Sequence, residues 1–149
     1  MIFISHRGNI EGPNPEKENM PEYIVSASNA GFDVEVDVWN IDGAWLLGHD
    51  KPQYPVEESF LESPGFWCHA KNIDALREMI SNDKINCFWH EEDDFTLTSF
   101  GNIWTYPGKK VTKKSVIVLT SLDVPKECRG AFGICSDWVN LQKLDLQND

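Results

Sequence analysis

Residues 33–39 read DVEVDVW, an unbroken alternation of acids and valines. That period belongs to a β-strand, where successive side chains point to opposite faces. Val34, Val36 and Val38 therefore share one face, and Glu35 and Asp37 the other. If helices cover the valines, the carboxylates look into an enclosed space, where an uncompensated charge costs several kcal/mol. Cations or a metal must answer them. At ~3.3 Å rise per residue the two carboxylates sit about 7 Å apart along the strand, a spacing that suits joint ligation of a hard divalent cation. The competing reading is an edge strand whose acidic face is simply solvated.

The segments around this strand predict an α/β order. Met1–Ser5 reads as a short buried strand and 10–16 as a Gly/Pro/Asn loop. A helix is predicted over 20–29, with Asn19 as its N-cap and Gly31 just past its end. Strand, helix, strand suggests parallel elements. Asp42-Gly43 marks a turn, and 44–50 (AWLLGHD) a second strand. Further strands are predicted at 66–71, 85–90, 103–106, 115–120 and 131–135, and a helix at 73–80. Residues 138–146 read as a terminal helix or a loose tail. Segments 91–99 and 108–114 are too polar or too brief for full crossover helices, so the second half looks stripped of helices.

The chain has 149 residues, 41% of them hydrophobic, enough for one sizeable core, so a single domain over 1–149 is expected. Its 24 acidic against 13 basic residues give a net charge of −11, which disfavours nonspecific binding to nucleic acid or to an anionic membrane surface. A few local cations still suffice to bind one phosphate. No apolar run reaches the ~18 residues of a membrane span, and the N-terminus lacks a signal-peptide pattern. Cys68, Cys87, Cys128 and Cys135 show no CxxC spacing and read as buried thiols of a reducing compartment, so a cytoplasmic location is expected.

The short Asp42-Gly43 turn makes 34–39 and 44–49 antiparallel neighbours, since parallel pairing needs a crossover of a dozen residues. With a three- or five-residue loop, His49 falls opposite Asp37 and on its face. A two-residue loop would place it opposite Val36, on the wrong one, so the longer loop is predicted. His6 and Arg7 end the first strand in ISHRGN. Two imidazoles supply a general base and a general acid near neutral pH, and arginine grips phosphate in bidentate fashion. Gly8 allows backbone to approach an anion. A divalent metal on Glu35 and Asp37 would polarise phosphoryl oxygens. Together these are the parts of a metal-assisted phosphodiester cleavage.

The stretches SHRGN and KENMPEYIVSASNAGFDVEVDVWNIDGAWLLGHD resemble the opening of the glycerophosphodiester phosphodiesterases. The resemblance covers the first third of the chain, with its motifs in order. It implies a TIM-barrel-like fold with the site at the C-terminal strand ends. It further implies that His6 and His49 are the acid/base pair, Arg7 a phosphate ligand, and Glu35 and Asp37 ligands of Mg²⁺ or Ca²⁺, with Mn²⁺ also open. Glu18 is implied near the site, and a glycerol hydroxyl is the implied nucleophile towards phosphorus.

Two departures stand out. Where the family carries an acid followed two positions later by lysine, this chain has His69 and Lys71, on one strand face. Lys71 then contacts phosphate, and His69 takes the place of a third carboxylate ligand. The second departure is length: a (β/α)₈ barrel takes ~250 residues, and the insertion usual after the His-Asp motif is missing. A reduced or distorted barrel with an open site is expected. Late polar strand ends supply further candidates: His90 and Glu91, Trp104 and Tyr106, Ser136 and Asp137, with Trp89 and Trp104 as an apolar wall for the alcohol part. The expected function is a metal-dependent phosphodiester hydrolase acting on a small glycerophosphodiester or related polyol- or sugar-phosphodiester. The alternatives are a degenerate barrel that binds a phosphorylated ligand without turnover and a metal-independent transferase using His6, His49 and Lys71.

Overall fold

A computed structural model describes residues 1–148. Strand β1 (Ile2–His6) leads through a loop to helix α1 (Pro21–Asn29) and β2 (Asp33–Ile41), followed by β3 (Ala44–Leu47), β4 (Tyr54–Val56) and a single helical turn, α2 (Glu58–Leu61). Then come β5 (Phe66–Ala70), α3 (Ile73–Ile80), β6 (Cys87–Phe88), β7 (Phe95–Leu97), β8 (Ile103–Thr105), β9 (Ser115–Leu119), a 3₁₀ turn (Lys126–Gly130), β10 (Gly133–Ser136) and α4 (Val139–Asn148).

The ten strands form one mixed sheet. Its parallel part runs β6-β5-β2-β1-β10-β9-β8, and three short antiparallel strands, β3, β4 and β7, extend it. The sheet does not close: among the described residues no ladder joins β6 to β8. The seam is filled instead by side chains. The Phe88 and Trp104 rings stack with centroids 4.4 Å apart, and Ser99 exchanges hydrogen bonds with the Cys87 backbone. Between α3 and α4 the only helical element is the 3₁₀ turn, so the second half is as poor in helices as its polar segments predict.

The alternation in β2 is realised on both faces. Val34, Val36 and Val38 are fully buried in one cluster with Ile24 and Ala27 of α1 and with Ala75 and Met79 of α3. Burying each valine contributes about 1.5–3 kcal/mol, which fixes the strand's register. On the inner face a second cluster joins Ile4, Trp67, Phe88, Trp104, Val116 and Cys135, one residue from each of six parallel strands. It floors the cup in which Glu35 and Asp37 sit.

Several expectations need correction. Asn19 does not cap α1: the N-cap is Met20, without a side-chain bond, because the Asn19 amide is engaged with Asp37. The β2–β3 loop is the two-residue one, with Ile41 paired to Ala44 and Val38 to Leu47. The predicted strand at 85–90 shrinks to two residues, since only β5 offers it a ladder. β4, α2 and β7 had no counterpart in the predicted elements. Of the two readings of the C-terminal segment, the helix is the one present, over Val139–Asn148. All four cysteines are free and buried. No helix among the described residues is long and apolar enough to cross a membrane.

Candidate active site

All four histidines of the chain line one cavity of roughly 370 Å³, together with Arg7, Glu35, Lys71, Glu91, Trp104, Tyr106 and Thr120. It opens over the C-terminal ends of the parallel strands. β1 delivers His6, and Arg7 follows in left-handed conformation (φ 54°). This strained turn is held by two backbone bonds, from Arg7 N–H to the Glu35 carbonyl and from Asn19 N–H to the Arg7 carbonyl. It directs the guanidinium to Asp37, with Nε 2.9 Å from Oδ2.

Asp37 is the hub. Its side chain is fully buried and faces Arg7, Lys71 Nζ at 3.7 Å and His69 Nδ1 at 3.1 Å. Asn19, itself buried in left-handed conformation (φ 63°), donates through Nδ2 to Asp37 Oδ2 and accepts from the Asp37 backbone N–H. Burial alone would raise the Asp37 pKa. The close approach of His69 and the charges of Arg7, His69 and Lys71 reverse this and hold it below the ordinary carboxylate range.

His69 lies opposite Asp37 in the parallel β2–β5 register. Its Nε2 is 2.9 Å from the carbonyl oxygen of His90, so Nε2 carries a proton and donates it. Nδ1 then faces the two carboxylates, 3.1 Å from Asp37 and 3.6 Å from Glu35. The ring stacks on Phe88, centroids 5.1 Å apart and planes 7° from parallel. Burial opposes charging this imidazole, but the close approach of the Asp37 and Glu35 carboxylates outweighs it and pushes its pKa up to about 9.

His6 is oriented from behind. Its Nδ1 lies 2.9 Å from Asp137 Oδ1, which leaves Nε2 towards the cavity, 3.9 Å from Glu35 Oε2. Asn9, fully buried, donates from Nδ2 to both Asp137 and Glu18, and Glu18 accepts from Arg7 Nη1 at 3.1 Å. Burial opposes protonation of His6, yet the bond to Asp137 and the charge of Glu35 leave its pKa raised. Asp137 is lowered in turn: burial would raise it, and the His6 bond and charge prevail.

Four carboxylates (Glu18, Glu35, Asp37, Asp137) thus face two basic side chains, Arg7 and Lys71. Two further positive charges balance the cluster, either as protons on His6 and His69 or as one divalent cation. One donor atom each from Glu35, Asp37 and His69 lies within 4.8 Å of the others. Glu35 Oε2 and Asp37 Oδ1 are buried and make no hydrogen bond, only ion-pair approaches from His6 at 3.9 Å and from His69 and Lys71 at 3.1 and 3.7 Å. Such acceptors beside an imidazole nitrogen fit a divalent cation.

His49 reaches the cavity by a different route from the one predicted. Continuing the ladder would put it opposite Val36, on the wrong face, but β3 ends at Leu47. Gly48 (φ 150°) then breaks the strand and swings His49 to the rim. A Cβ at Gly48 would collide with the Lys51 carbonyl oxygen, so only glycine fits. His49 is the most exposed of the four histidines and pairs with the neighbouring Asp50 at 2.7 Å.

Gly8 does not approach the cavity: it is buried against the Tyr23 ring, where a Cβ would come within 2.6 Å. Trp89 packs partly buried against the valine-face core, so Trp104 alone of that pair walls the cavity. Ser136 is buried and caps the backbone at Trp138 rather than lining the site. His90, a candidate on its strand end, lines the cavity and pairs with Asp93 at 2.8 Å. Asn9, Asp93 and the bond of Asn19 to Asp37 were missed by sequence reasoning. The chain matches no known family model, no curated protein and no solved structure.

Proposed function

We propose that this protein is a divalent-metal-dependent phosphodiesterase, built on an open β/α sheet and cleaving a glycerophosphodiester or related polyol- or sugar-phosphodiester. The observation that carries the reading is the convergence of four histidines, two basic side chains and two buried carboxylate oxygens that make no hydrogen bond around one hollow of substrate size. Glu35, Asp37 and His69 would hold the cation, which when bound supplies charge neutralisation at the phosphoryl oxygens.

Arg7 and Lys71 border the same hollow and bind the phosphodiester's anionic oxygens. Glu18 keeps Arg7 in place through Nη1. One histidine would accept the proton of the glycerol hydroxyl as that oxygen bonds to phosphorus, and the P–O bond to the departing alcohol breaks, leaving a cyclic phosphodiester that water then opens. The other histidine returns a proton to that alcohol oxygen. His6, oriented by Asp137 with Nε2 towards the cavity, is the better-held member of the pair, and His49 lines the same cavity. Trp104 and Tyr106 offer the alcohol part an aromatic wall. The four buried free thiols suit a reducing compartment such as the cytoplasm.

The test is turnover of a panel of glycerophosphodiesters by the purified, metal-stripped protein with Mg²⁺, Ca²⁺ or Mn²⁺ restored, beside a chelator control. Metal-restored cleavage that His6→Gln abolishes supports the reading. A folded protein that turns over no diester with any metal contradicts it and leaves ligand binding without catalysis.

A further inference from the structure

The third cation ligand is a nitrogen rather than an oxygen, and the structure shows how firmly that nitrogen is aimed. We infer that His69 ligates through Nδ1 and thereby tunes the site to a borderline transition dication of the Mn²⁺ to Zn²⁺ series, in preference to Mg²⁺ or Ca²⁺. This rests on the metal-dependent reading above.

Three independent contacts fix the ring. The β2–β5 register places His69 directly across from Asp37. Phe88 stacks flat against one face. The His90 carbonyl accepts from Nε2 at 2.9 Å and so assigns the proton to that nitrogen. A second-sphere acceptor on the far nitrogen is the usual arrangement of a ligating histidine, because it fixes both tautomer and ring plane. Nδ1 is left facing Asp37 Oδ1 and Glu35 Oε1. A dication held there would give Glu35 Oε2 and Asp37 Oδ1, which make no hydrogen bond, a partner.

The donor types decide the selectivity. Mg²⁺ and Ca²⁺ are hard cations that favour all-oxygen shells, and Mg²⁺ sheds water reluctantly. Transition dications gain from an imidazole nitrogen. Of the other groups near the cluster, Arg7 and Lys71 are basic and repel a cation, and the one further neutral donor that close, His6 Nε2 at 3.9 Å from Glu35 Oε2, is also an imidazole nitrogen. Among the described residues, the donor atoms that lie within 4.8 Å of one another are those of Glu35, Asp37 and His69, so one donor in three is nitrogen.

The experiment uses the full chain, stripped of metal, and reads binding rather than activity. Mn²⁺, Mg²⁺ and Ca²⁺ are titrated by calorimetry, and the Mn²⁺ form is examined by electron spin-echo envelope modulation for coupled ¹⁴N. The inference predicts Mn²⁺ binding at least about tenfold tighter than Mg²⁺ or Ca²⁺, with modulation from one imidazole. That modulation disappears in His69→Gln and survives in His6→Gln. His69→Asp, which completes an all-carboxylate shell, shifts the preference towards Mg²⁺ and Ca²⁺. Because the wild-type spectrum needs no variant, a misfolded substitution does not blunt the test. Mn²⁺ bound without nitrogen modulation, or Mg²⁺ or Ca²⁺ bound as tightly, overturns the inference and leaves the phosphodiesterase reading standing. No binding of any cation overturns the inference, and with it the metal part of the proposed function.

Discussion

At the scale of single residues, Asp37 and His6 are each held by an asparagine and a carboxylate network rather than by direct solvent contact. Asn19 satisfies Asp37 twice, by side chain and by backbone. Removing it leaves a buried carboxylate and a buried N–H short of a partner, a cost of about 1–3 kcal/mol. Asn19→Ala should therefore lower unfolding free energy by that amount in chemical denaturation. Asp137 acts on His6 in a different way, through tautomer and basicity. Asp137→Asn should lower the His6 pKa in an NMR titration and cut turnover by about 10²- to 10⁴-fold with little change in substrate KM. An unchanged His6 titration would show that the contact does not govern the ring. The carboxylates of β2 were legible because alternation fixes their face. Asn19 was not, since an asparagine one residue before a helix matches a capping signal, and only the tertiary fold shows its side chain turned to Asp37.

At the scale of elements, the strand ends do the positioning, and glycine at one of them is decisive. β1, β2 and β5 carry strong apolar periodicity and were readable as strands, and parity on them grouped Glu35 with Asp37 and His69 with Lys71. β4 and β7, each three residues long, are too short for periodicity to register, and α2 is a single turn. Parity failed at His49 for a physical reason: it assumes an unbroken ladder, and Gly48 interrupts it. His49 lines the cavity, while the loop length inferred from its parity was wrong. Gly48→Ala tests this account. Its Cβ meets the Lys51 carbonyl at a positive φ that L-residues avoid. The substitution should cost about 1–3 kcal/mol of stability and reduce turnover at least about tenfold by displacing His49. Loss of stability with turnover intact would remove His49 from the chemistry.

At the scale of the whole molecule, a strongly acidic chain gathers part of its small stock of cations around one buried acidic pair, and its stability should follow their titration. His6 and His69 have raised pKa values. Their contribution is full below about 6.5, the ordinary histidine value, and is lost as pH rises through the folded values, about 9 for His69. Asp37 and Asp137 are lowered, so their contribution is present above about 3.8 and fades as pH falls below it. With chelator present, Tm should peak between about pH 4.5 and 6.5 and decline towards pH 9. A Tm that rises from pH 6.5 to 9 would contradict the charge balance drawn here. The α/β order and the scarcity of late helices were legible from segment length and polarity. The open seam between β6 and β8 was not, because it depends on Phe88 and Trp104 meeting across residues distant in sequence. The central claim, that this cluster performs metal-assisted phosphodiester cleavage, is met most directly by diester turnover of the metal-stripped protein before and after a divalent cation is restored. The account predicts no turnover when stripped, recovery with metal, and no recovery in Glu35→Ala. Equal turnover in chelator and in Glu35→Ala, or none under any metal in a folded protein, would contradict it.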